Sequence, residues 1–143
     1  MSEKLDSTLN HPAYICGRLL AIYDRLQYQA QGEVNANISD RYYALASTSP
    51  ALAFPKLTEL SLKHLKQLRR ENRGAAVNIE REIQSIHERL AASGAMFPTT
   101  LSLEDQGRFA IGYHHQRAES MARAMAKKQA RQQSQSPESK DDE

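Results

Sequence analysis

Residues 75–92 read AAVNIEREIQSIHERLAA. Ile79, Ile83, Ile86 and Leu90 recur at intervals of four, three and four, the spacing that lines up side chains on one face of an α-helix. Charged and amide residues fill the positions between them, and Ser93-Gly94 closes the run. A helix with one apolar stripe must bury it against another element, so the rest of the chain has to supply matching faces.

It does so with more helices. N-terminal to this run, residues 55–70 carry Leu57, Leu60, Leu65 and Leu68 on one side, with Ser61 and His64 among them. The break before that helix is Ser47-Thr48-Ser49-Pro50, and Pro55 disfavours helical geometry at Phe54. Asn72-Arg73-Gly74 closes it. A short helix is expected over 38–47, capped by Asn37 or Ser39 and anchored by Tyr42, Tyr43 and Leu45. The first helix spans 11–30, with Asn10 as N-cap, Pro12 in the first turn and a stripe of Ile15, Leu19, Ile22, Tyr23 and Leu26. C-terminal to the quoted run, Ser102 caps a fifth helix, with Glu104 and Asp105 in its first turn, reaching to about residue 128. Runs of β-branched residues are absent, and so is tryptophan. The expected fold class is all-α: a compact bundle of about five helices over residues 10–131, after a flexible stretch 1–9.

The chain has 143 residues, enough for one domain. Its net charge is +2, unevenly spread: residues 132–143 carry −3, residues 1–6 carry −1 and the stretch between carries +6. The last twelve residues, built of Gln, Ser, Pro and acids, are expected to be a disordered acidic tail. A basic body suggests a polyanionic partner. No run approaches the roughly 18 apolar residues of a membrane span, and the N-terminus lacks the apolar core of a secretory signal, so a cytoplasmic chain without membrane contact is expected.

Constellations for chemistry are missing. With Cys16 alone there is no disulfide framework and no cysteine-rich metal site. His114 and His115 are adjacent and diverge by about 100° on a helix, so they cannot chelate one metal together. Glu80 and Glu82 point to different faces, and Glu104 and Asp105 are accounted for by the helix N-terminus. There is no P-loop, no G-x-G-x-x-G and no G-x-S-x-G. No enzyme, metal or cofactor is expected, and Cys16, between Ile15 and Gly17, reads as a small core residue.

The basic residues are better organised. On the third helix Lys56, Lys63, Lys66, Arg70 and Arg73 gather almost opposite the leucines, the one-sided arrangement that attracts a phosphate backbone. Leu62 falls off the apolar side and is a candidate contact to a neighbouring subunit. On the fifth helix Leu103, Gly107, Ala110, His114, Ala118, Met121 and Met125 share a side of small-residue character, expected to pack tightly. Arg108, Gly112 and His115 share another, where the glycine lets a partner approach, and Arg117 continues the basic character.

The run 101–117, LSLEDQGRFAIGYHHQR, is distinctive. It resembles the C-terminal end of the large subunit of type I-C CRISPR interference complexes (Cascade), which closes in a similar LSLEDQGRFALGYYHQR; His114 stands where a tyrosine is common. HPAYICGRLLAIYDRLQ from His11 and NANISDRYYALASTSPALAFPKL from Asn35 match as well, so the likeness covers about residues 10–118. In such systems the C-terminal part of the large-subunit gene is also made separately as the free small subunit. The resemblance therefore implies a non-catalytic small subunit that stacks along the belly of the complex. Its implied partners are the large subunit, the backbone subunits and further copies of itself, with guide RNA met only indirectly. It would stabilise the R-loop through non-sequence-specific contacts to single strands of target DNA, chiefly the non-target strand. Recognition of the short motif flanking the target belongs to the large subunit's N-terminal part and is not implied here. The alternative from a different class is an assembly-only adaptor that bridges large and backbone subunits without touching DNA.

Overall fold

Thirteen of the twenty residues of α1 (Pro12–Gln31) are buried. A helix apolar on nearly every side has to sit inside, and α1 is the axis against which each other helix packs. The computed structural model describes residues 10–94 and 96–135. Around α1 lie α2 (Ile38–Thr48), α3 (Pro50–Glu71), α4 (Arg73–Ala92) and α5 (Leu103–Gln135), with no strand among the described residues. The expected tail beyond Gln135 and the stretch 1–9 lie outside the described residues.

Local signals set most helix ends. Asn37 caps α2 reciprocally: its Oδ1 accepts the Asp40 N–H at 2.7 Å, and Asp40 Oδ2 accepts the Asn37 N–H at 3.2 Å. Ser102 Oγ accepts the Asp105 N–H at 3.1 Å and opens α5. Gly32 takes a positive φ of 75° and closes α1 by donating to the Tyr28 carbonyl at 2.7 Å.

Other ends differ from the sequence reading. His11, rather than Asn10, caps α1, its Nδ1 accepting the Ala13 N–H at 3.1 Å; Asn10 Oδ1 instead accepts from Arg89. α3 runs unbroken through Pro55. The lost backbone bond is tolerated because Ala53, Phe54 and Leu57 are fully buried around the proline, and this packing outweighs its helix-breaking tendency. Phe54 stacks on Phe97 with ring centroids 4.8 Å apart. A single residue, Asn72, separates α3 from α4 and caps the latter, so Arg73 and Gly74 open α4 rather than ending α3. Leu45 is 40% exposed, and α2 anchors through buried Ile38 and Ala46 with Tyr42 and Tyr43 half-buried. α5 continues past residue 128 to Gln135, so 132–135, expected in the tail, are helical.

The largest correction concerns the inner face of α5. The side with Gly107, His114, Ala118, Met121 and Met125 is exposed, and the buried side is Phe109, Gly112, Tyr113, Gln116 and Ser120. Shape decides this. α1 and α5 cross at two glycines, where a Cβ on Gly17 would lie 2.8 Å from the Tyr113 nitrogen and one on Gly112 would lie 2.9 Å from the Tyr14 carbonyl carbon, with the Phe109 and Tyr14 oxygens nearer still. Among the described residues nothing lies within 4 Å of a Cβ at Gly107. The partner that approaches Gly112 is α1 itself.

Candidate nucleic-acid interface

The amphipathicity of α3 positions the site. Leu57, Ser61, His64, Leu65 and Leu68 are buried, which turns Lys63, Lys66 and Arg70 outward one turn apart. These three line one shallow depression together with Gln67 and Glu71, and span about 10 Å along the helix. None of the three makes an ion pair with a described residue. Lys56, also exposed, sits 3.9 Å from Glu59. Arg69, off the stripe, is taken by Glu80 at 2.6 Å. Leu62 is 63% exposed, one turn from Lys66.

The other sequence candidates are not brought to this stripe. Arg73 is exposed at the first position of α4, beyond Asn72. Arg108 is held by Asp105 at 2.7 Å and Glu104 at 2.9 Å. The hydrogen bond with Asp105, seconded by the nearby Glu104 charge, raises its pKa further. The His115 Nδ1 and the Tyr14 hydroxyl share a hydrogen bond at 3.0 Å. Arg117 is exposed but opens onto a different hollow, on the α1–α5 side. As α3 and α5 each lean on α1 without packing extensively on one another, the sequence candidates fall on separate surfaces.

Sequence reasoning missed a polar seam between α1, α4 and α5. Arg18 is 8% exposed and donates through Nε to Gln116 Oε1 at 2.9 Å. Arg25 donates to Ser120 Oγ at 2.8 Å and pairs closely with Glu82, which also accepts from Arg123 at 2.6 Å. Thus one carboxylate of α4 ties together arginines of α1 and α5. The available signal was Arg18 inside the apolar run YICGRLLAIY.

Burial shifts several titratable groups of the core. Desolvation pushes the Cys16 thiol up to about 12, which leaves it inert as a nucleophile at neutral pH. Burial lowers the pKa of His64 and His87, and His64 Nδ1 finds no hydrogen-bond partner among the described residues. Among the described residues no three His, Cys, Asp or Glu side chains group as metal ligands, and no helix is long and apolar enough to cross a membrane.

Lys63, Lys66 and Arg70 thus form an outward cationic row on α3. A search of curated proteins returned no match. A family profile, described as CRISPR-associated protein (Cas_Csd1), matches residues 1–121. Since this spans most of the chain, the protein belongs to the Cas_Csd1 family of CRISPR-associated proteins.

Proposed function

We propose that this chain is the non-catalytic small subunit of a type I-C CRISPR interference complex. In this reading it stacks with the large subunit, the backbone subunits and further copies of itself in the cytoplasm, and steadies single DNA strands of the R-loop, chiefly the non-target strand. Family membership and the likeness of residues 101–117 to the type I-C large subunit support the setting. The observation that carries the DNA contact is the row Lys63, Lys66 and Arg70, free of ion pairs among the described residues and sharing one depression on α3. Lys56 on the same helix extends the row; Leu62 beside it is the proposed subunit contact. Exchange of a DNA duplex for a guide–target hybrid is nearly balanced in free energy, so a few phosphate contacts suffice to tip it. Such contacts carry no sequence information, which leaves specificity to the guide RNA.

The test is the triple variant Lys63→Glu, Lys66→Glu, Arg70→Glu. Exposed substitutions shift stability by about 0.5 kcal/mol or less, so the fold and the incorporation into the complex should survive. R-loop formation should weaken similarly for every target, and the salt slope of binding should fall by about 0.7 per lost contact to a single strand. Complexes that contain the variant and keep the parent's affinity and slope would refute the DNA role and favour the assembly-only adaptor.

A further inference from the structure

Beyond Ser120 the body-facing side of α5 changes character. Residues 121–134 are all exposed along about 20 Å of helix, tied back to the bundle through Arg123 and Glu82 of α4. On the side that bore Phe109, Gln116 and Ser120, the helix now presents Arg123, Lys127 and Arg131, four residues apart. A helix of that length is marginal in water on its own, even when rich in alanine, so it gains from being packed on.

Beneath this arm lies a trough of about 920 Å³, walled by α5 on one side and by the end of α1, the 32–37 connection and the start of α4 on the other. Its lining is largely apolar: Ala21 and Ile79 within, with Tyr28 (61% exposed), Val34 and Met121 (60%) toward the rim. At its centre Glu82 pairs with both Arg25 and Arg123, and Asp24 accepts the Ser39 N–H at 3.4 Å. Among the described residues, the lining charges without an ion pair are Arg117 and Lys127 on the α5 wall and Asp24 and Glu33 on the opposite one. A uniform polyanion would meet Asp24, Glu33 and a greasy floor. A helix with carboxylates along one flank and apolar anchors beneath would meet neither obstacle.

We infer that this trough docks an acidic amphipathic helix of a partner protein, its apolar side chains seated between Tyr28, Val34 and Met121 and its carboxylates facing Arg117 and Lys127. Recognition of a helix in a groove reads anchors at i, i+3 or i+4, and i+7. The site uses none of the α3 residues and stands independently of the nucleic-acid reading.

The probe is a fluorescently labelled synthetic helix with leucines at that spacing and glutamates along one flank, titrated into the full chain and followed by anisotropy. The double variant Arg117→Glu, Lys127→Glu should bind it about tenfold more weakly, since two rim pairs turn from attraction to repulsion. A peptide with lysines in place of the glutamates should recover binding to that variant. Met121→Asp should weaken both peptides, while the α3 triple variant should bind the acidic peptide like the parent, which keeps failure of the two proposals distinguishable. Absence of binding, or equal binding to parent and double variant, would overturn the inference. So would displacement of the peptide by an oligodeoxythymidine, which would make the trough a nucleic-acid site. Self-association of the parent that Met121→Asp abolishes would overturn it too, by making the trough an interface between copies.

Discussion

Replacing Gly112 with alanine tests the crossing on which the bundle rests. The new Cβ would sit 2.9 Å from the Tyr14 carbonyl carbon and nearer still to its oxygen, whereas ordinary contact begins at 3.4 Å. The obstacle is the backbone of α1, which cannot turn aside as a side chain can, so the helices must separate along their seam. Overpacking of this kind costs about 1–3 kcal/mol, occasionally more. Alanine also recovers about 1 kcal/mol of helix propensity over glycine. Because the clash is with backbone, the upper end of the range applies, and the net expectation is a loss of about 2 kcal/mol. For a domain of this size that lowers Tm by roughly 6–10 °C. The control is Gly107→Ala on the same helix, where a Cβ meets nothing within 4 Å among the described residues, so only the propensity gain remains and stability should rise by up to about 1 kcal/mol. Urea unfolding of both variants beside the parent gives the answer. Opposite signs from the same chemical change support the crossing. Gly112→Ala at or above the parent's stability would refute it.

Glu82→Gln should cost about 1–2 kcal/mol, because Arg25 and Arg123 lose the carboxylate they share while the site stays partly open to water; a urea midpoint within error of the parent would show that the seam contributes nothing. Stability should also decline with acid. Burial lowers the folded-state pKa of His64 and His87 below the ordinary value of 6.5, so both states are neutral above that pH, and below it the unfolded chain takes up protons first. The contribution is therefore present above pH 6.5 and is lost as pH falls toward the lowered folded values. Denaturation at pH 7.5, 6.5 and 5.5 should show the drop in the lower interval, and His64→Gln should flatten it. A midpoint independent of pH over that range would contradict the burial of these imidazoles.

The stripe Ile79, Ile83, Ile86, Leu90 and its counterparts determined by themselves that the chain is helical, and Asn37 and Ser102 marked where two helices begin. These signals are local: periodicity and capping act within a few residues and are legible one helix at a time. The cationic row on α3 was legible for the same reason, since a strong apolar stripe leaves only one side for Lys63, Lys66 and Arg70. Only tertiary structure decided which side of α5 faces inward. That face has two large apolar side chains, Phe109 and Tyr113, among Gly112, Gln116 and Ser120, and is too weakly apolar to announce itself. It is selected because Gly17 and Gly112, 95 positions apart, let two backbones meet. Separations of 41 to 98 positions likewise hid the seam of Arg18, Arg25, Glu82 and Arg123 and the trough beside it. Contacts of that kind are made by steric fit and charge pairing between remote segments, and no periodicity along one segment encodes them.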